Sequence, residues 1–173
     1  EIPGTDNLHK PKSIIKKSQK NLSKIFNSKK SYFLVNGSTC GILSTIYSLT
    51  NKNDKILINR NAHKSVLNAI KLNELNPLYI KPKLDSKTDL ICGINIADLK
   101  HKLENFPKIK AVFLTYPTYE GICYNIKEII KIIKSYDKMI IIDEAHGSHF
   151  KYSKLFPKSA TNFNVDVVIQ SAH

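Results

Sequence analysis

The sequence predicts an α/β domain, a mostly parallel sheet with helices on both faces. Two observations carry that reading. Short apolar runs, at 55–59, 111–114 and 139–142 among others, recur along the 173 residues with helical periodicity between them. Within these runs apolar residues follow one another instead of alternating with polar ones. That suits strands buried on both faces and joined by crossover helices.

The elements follow in order. Residues 12–28 read as a helix, with Ile14, Ile15, Leu22, Ile25 and Phe26 at roughly helical spacing. Residues 32–35 read as a buried strand ended by the turn signal Asn36-Gly37. A helix is predicted over 39–49, a strand over 55–59, a helix over 64–72 and a strand over 78–80. Residues 85–93 are polar and read as a loop. Ile96, Leu99, Leu103 and Phe106 mark an amphipathic helix, and 111–114 a strand. Ile126, Ile129, Ile130 and Ile133 share one helical face. Residues 139–142 form a strand running into Asp143, and 165–169 the last one.

Composition narrows the classes. At 42% apolar and 24% charged, the chain is globular and not disordered. Its net charge of +13 comes almost wholly from lysine, with Arg60 the single arginine. A nucleic-acid reader would be richer in arginine, whose planar fork suits phosphates and guanine edges. No nucleic-acid partner is therefore expected. No apolar run approaches the roughly 20 residues of a membrane span. Cys40, Cys92 and Cys123 form neither a CxxC pair nor a disulfide framework. His146 and His149 stand three apart without a third ligand, so no metal site is expected. The chain reads as cytoplasmic and off the membrane. The first residues carry no initiator Met and no targeting pattern, and the end at His173 is abrupt. A piece of something larger is expected.

In a parallel sheet, ligands bind outside the carboxyl ends of the strands. Five polar clusters are expected there: Asn36-Gly37-Ser38-Thr39, Asn61-Ala62-His63, residues 115–119, Asp143-Glu144-Ala145-His146 and Ser171-Ala172-His173. Gly37 permits a positive φ or a close backbone approach. Ser38 and Thr39 at a helix start suit either a phosphate or an ordinary N-cap. Asp143-Glu144-Ala145-His146 spells a helicase box, but no Walker A loop accompanies it. Strand alternation sends the Asp143 and Glu144 side chains to opposite faces.

Taken together, these segments resemble the large domain of the ornithine/lysine/arginine decarboxylase family, among the fold-type-I pyridoxal-phosphate enzymes. The matching stretches are EIPGTDNLHKP (1–11), YFLVNGSTCG (32–41), NDKILINRNAHKS (53–65), LTYPTYEG (114–121), IIIDEAHGSHF (141–150) and VVIQSAH (167–173). They recur in the family's order over nearly the whole chain. The resemblance implies a pyridoxal-phosphate-dependent transferase-like large domain at 31–173, preceded by an N-terminal segment and helix at 1–30.

The cofactor implied is pyridoxal 5′-phosphate. By the same resemblance, Gly37, Ser38 and Thr39 hold its phosphate, with Ser171 adding a contact. His63 stacks on the ring, Asp143 binds the ring nitrogen and keeps it protonated, and Ala145 packs against the ring. His146 bears on substrate choice. His173 lies beside the Schiff base and handles protons, completing a catalytic set of His63, Asp143 and His173.

The activity implied is decarboxylation of lysine, arginine or ornithine to the amine and carbon dioxide, within polyamine biosynthesis. A homodimer or higher homo-oligomer is implied too. In the family, the residue after SxH is the Schiff-base lysine, so the domain is expected to be incomplete at its C-terminus and inactive alone. The rival readings are a catalytically dead relative serving as an interaction protein, and a basic nucleic-acid-binding domain.

Overall fold

The fold is known from a computed structural model, which describes residues 4–172. His173 and residues 1–3 lie outside the described residues. The chain divides into two compact units, one ending at Val35 and the other beginning at Asn36.

The first unit holds helix α1, Ile14–Phe26. Its start is capped from upstream, because the Asp6 carboxylate accepts the N–H groups of Lys12, Ser13 and Ile15 at 2.8, 3.0 and 2.8 Å. Asn27 ends it in the left-handed region, at φ 51°. The expected strand at 32–35 is not formed. Tyr32, Phe33, Leu34 and Val35 are all exposed. Their side chains favour a strand, but a strand also needs a partner ladder for its N–H and C=O groups, which propensity cannot supply.

The second unit is a five-stranded sheet in which every pairing is parallel. Its strands are β1 (Lys55–Asn59), β2 (Asn76–Ile80), β5 (Ile109–Thr115), β6 (Met139–Glu144) and β7 (Val167–Gln170), in the order β2-β1-β5-β6-β7. Helices α2 (Gly37–Leu49) and α3 (Lys64–Leu72) cover one face, packing on Ile56, Ile58, Ala111, Phe113 and Ile141. Helices α4 (Ile96–Asn105) and α5 (Ile126–Ser135) cover the other, against Leu57, Val112, Leu114, Ile140 and Ile142. Adjacent strand residues thus belong to different cores, as unbroken apolar runs require. Each fully buried isoleucine contributes about 2 kcal/mol by leaving water.

The helix bounds follow from local chemistry. Asn95 and Asn125 cap α4 and α5 by accepting the N–H groups of Asp98 and Glu128. Ile126, Ile129, Ile130 and Ile133 form the buried face of α5.

The polar segment 85–93 departs from expectation. It contains the turn of an antiparallel hairpin between β3 (Pro82–Leu84) and β4 (Ile91–Ile94). Ile91, Cys92, Gly93 and Ile94 supply the second strand, hidden in sequence by Asp85, Lys87 and Asp89. Two short 3₁₀ turns, Ser148–Tyr152 and Ala160–Asn162, fill the passage from β6 to β7.

From β1 the chain passes through α3 to β2 on one side, then returns by α4 to β5 on the other. The strand order therefore reverses between β1 and β5, and such a switch point opens a crevice at the carboxyl edge.

Candidate functional site

At the switch point the edge is tied by Asn59. Its Oδ1 accepts the Thr115 N–H at 3.1 Å, and its amide donates to Asn61 Oδ1. The Tyr124 hydroxyl donates to the Thr115 carbonyl at 2.6 Å. These contacts brace the ends of β1 and β5 before any ligand enters.

Asp143 ends β6 on the α2/α3 face. It is 5% exposed, and among the described residues its carboxylate accepts one hydrogen bond, from the Ala145 N–H at 3.1 Å. Burial pushes its pKa up. The Ala145 N–H and the fields of His63 and His146 pull it back in part. Thr115 is its register partner on β5, and the buried Thr115 Oγ1 has no hydrogen bond among the described residues. One edge therefore carries a desolvated carboxylate with lone pairs to spare and an unpartnered hydroxyl beside it.

His63 caps α3. Its Nδ1 accepts the Ser65 N–H at 3.2 Å and lies 2.7 Å from the Ser65 hydroxyl. His146 meets the Tyr119 ring edge-on at 5.4 Å. Ala145 is half-buried, and its backbone serves Asp143.

Helix α2 packs on α3 and β7, and its C-terminus leads through the short link 50–54 into the start of β1, which turns its N-terminus toward the carboxyl edge. Asn36 and Gly37 there have φ of 66° and 67°. A Cβ on Gly37 would meet nothing within 4 Å, so the glycine serves the turn and not a close approach. Unlike α3, α4 and α5, α2 has no side-chain cap, and unlike α4 and α5 it has no acid in its first turn. Ser38 is half-buried and Thr39 exposed. An anion fits these free N–H groups and the positive end of the helix dipole. Ser171 follows β7 directly and is half-buried. His173 was expected here and lies outside the described residues.

The two neighbours in the Asp143-Glu144 pair separate cleanly. Glu144 is fully buried on the opposite face, where it accepts from the Ser159 hydroxyl at 2.7 Å, the Ala160 N–H at 2.6 Å and the Gln170 amide at 2.6 Å. Gly147 passes so close that a Cβ would lie 2.7 Å from Glu144 Cγ and 2.9 Å from Pro117 Cδ. This set closes a scaffold.

Arg60 lies over the Tyr79 ring, 4.8 Å from its centroid, which gives the single arginine a packing role. Burial pushes the Cys123 thiol up, away from the thiolate a nucleophile needs. Among the described residues, no three His, Cys, Asp or Glu gather as a metal site, and no helix is long and apolar enough to cross a membrane. A hollow of about 530 Å³ along α5 is lined by none of the candidate residues. Sequence reading placed Thr115 within the cluster 115–119 without a role of its own, and overlooked Asn59 and Ser65 as parts of the site. Ser65 lay in plain view within His63-Lys64-Ser65.

The major-domain profile of the family described as Orn/Lys/Arg decarboxylase matches residues 1–173. The chain belongs to that family. It is 40% identical over its whole length to the uncharacterised protein YaaO of Bacillus subtilis, covering 36% of that protein. It is 33% identical over 99% of its length to arginine decarboxylase of the same organism, covering 35% of it. The chain thus spans about a third of the curated relatives it matches.

Among solved structures, a chain of a SepCysS–SepCysE N-terminal domain complex shares the fold at a TM-score of 0.79. The identity there is 18%, over 98% of this chain and 44% of that one. A pyridoxal-phosphate-bound C–S lyase from Staphylococcus hominis shares it at 0.54, with 22% identity over 62% of this chain and 28% of that one.

Proposed function

We propose that this chain is the cofactor-holding part of a pyridoxal-phosphate-dependent decarboxylase of a basic amino acid. The observation that carries the reading is Asp143, a buried carboxylate with one N–H partner among the described residues, set on the same face as His63 and the uncapped start of α2. The donor set fits the group. A cationic ring nitrogen would satisfy the spare Asp143 lone pairs and offset its desolvation. A phosphate would occupy the Gly37-Ser38-Thr39 turn, with Ser171 beside it.

When bound, pyridoxal phosphate supplies a sink for the electrons left behind as carbon dioxide departs. Asp143 would hold the proton on the ring nitrogen, which keeps that sink cationic. His63 would fix the ring plane from one side, and Ala145 is small enough to leave space for it. The helix dipole and the hydroxyls of Ser38 and Thr39 would anchor the phosphate, so the ring keeps one orientation toward the substrate. His173 is assigned proton handling on family resemblance alone.

Lysine, arginine and ornithine are the candidate substrates of the whole protein. The same proposal includes a cytoplasmic homo-oligomer supplying amines for polyamine synthesis. The test is a pyridoxal 5′-phosphate titration followed by visible absorbance, with amine production from each of the three substrates in the longer protein. Saturable binding abolished by Asp143→Ala supports the reading. Binding indifferent to Asp143 overturns it.

A further inference from the structure

We propose that Ser65 is a positioning residue for this site, holding the His63 imidazole in one plane and one tautomer and thereby tuning affinity for pyridoxal phosphate. The proposal rests on the cofactor reading above and extends it to a residue that reading does not use.

Histidine is not among the preferred N-cap residues, which are Ser, Thr, Asp and Asn. His63 takes that position only by turning Nδ1 toward the backbone of α3, where it accepts the Ser65 N–H at 3.2 Å. The Ser65 hydroxyl lies closer, 2.7 Å from the same nitrogen. A proton on Nδ1 would confront the Ser65 N–H, so Nδ1 is the acceptor and the hydroxyl donates to it. The ring proton then resides on Nε2.

Ser65 is 1% exposed, so its hydroxyl is held by the surrounding core. His63 is exposed, and among the described residues no other hydrogen bond or ring contact holds its imidazole. One buried residue therefore sets both torsions of an otherwise free ring.

The consequence is energetic preorganisation. An exposed imidazole samples several rotamers, and a ligand that needs it flat against a ring must freeze them on binding. With the ring already fixed, that ordering cost is met during folding. Losing the Ser65 hydroxyl should weaken affinity about three- to tenfold.

The experiment has two readouts. In the chain labelled with ¹⁵N-histidine, at mildly alkaline pH and without cofactor, His63 should show a pyridine-like Nδ1 and a pyrrole-like Nε2. Ser65→Ala keeps the backbone N–H at 3.2 Å but loses the closer hydroxyl donor. The Nδ1 signal should therefore move toward that of a weakly bonded pyridine-like nitrogen and the minor tautomer should grow, and Ser65→Thr, which keeps the hydroxyl, should restore the parent signature.

The second readout is the dissociation constant for pyridoxal 5′-phosphate in the parent, Ser65→Ala, His63→Ala and the double variant. Ser65→Ala should weaken binding when His63 is present and have no further effect once His63 is gone. An unchanged tautomer signature, or an equal loss in both backgrounds, would overturn the proposal, because a general packing role would not need His63. If the parent binds no cofactor, the cofactor reading fails on its own, while the tautomer comparison still decides whether Ser65 sets the ring.

Discussion

Two carboxylates, one residue apart on β6, meet opposite fates. Glu144 and Asp143 are both buried, and burial pushes both pKa values up. Glu144 points to the α4/α5 side and receives three donors, two from side chains and one from the backbone. Asp143 points to the α2/α3 side and, among the described residues, receives one. A buried acid with its lone pairs filled belongs to the scaffold, whereas one left open at the carboxyl edge is set to receive a cation. Burial alone would not separate them; the donor count does.

The largest expected effect breaks this pair on the binding side. Asp143→Ala should weaken pyridoxal phosphate binding by two to four decades, since removing one partner of a buried ion pair costs about 3–5 kcal/mol. Glu144→Ala should leave the affinity of the folded protein nearly intact. Titrations of both variants decide it, and equal losses would mean the counter-ion is wrongly assigned.

The contrast should invert in stability. Glu144→Ala strands the Ser159 hydroxyl, the Ala160 N–H and the Gln170 amide, and should cost about 3 kcal/mol in urea denaturation. Gly147→Ala probes the same scaffold by crowding. Its new Cβ would press on Glu144 and Pro117, at an expected cost of about 1–3 kcal/mol by the same measurement.

Asp143→Asn should do the reverse in the cofactor-free chain. The folded pKa of Asp143 lies above its unfolded value, so its ionised form costs stability increasingly as pH rises through the folded value. That cost is absent in acid, below the unfolded value. The variant should therefore melt higher than the parent at pH 7 and close to it at pH 3. A lower melting point at pH 7 would show that Asp143 is already satisfied without a ligand.

The smallest effect sharpens the rule with a third carboxylate. Asp6 has several backbone donors, the Lys12 N–H foremost, but stands in water, and its pKa falls to about 2. Its cap is fully present above the unfolded carboxylate range and is lost as pH falls through about 2. The exchange protection factors of the Lys12, Ser13 and Ile15 amides should fall across that window and stay level above it.

Much of this was legible in the residues. The unbroken runs of β1, β5 and β6 announced strands buried on both faces, because only a sheet covered twice removes every side chain of such a run from water. The isoleucine spacing of α5 announced one buried stripe. Alternation placed Asp143 and Glu144 on opposite faces before any contact was visible. The polar segments after β1, β5, β6 and β7 marked the carboxyl edge, since a chain leaving a buried strand must regain water there.

What tertiary structure decided was pairing. Residues 32–35 have strand-forming side chains and no strand, because a ladder needs a second edge that local sequence does not contain. The β3–β4 hairpin formed through a segment that reads as polar loop, because antiparallel pairing satisfied its backbone where side-chain composition argued otherwise. The same holds for the site. That Ser159, Ala160 and Gln170 would fill Glu144, and that one N–H would serve Asp143, depends on groups 15 to 26 residues away on one side and on the adjacent turn on the other. Residue type set which groups could bond; only the folded chain set how many donors reached each carboxylate.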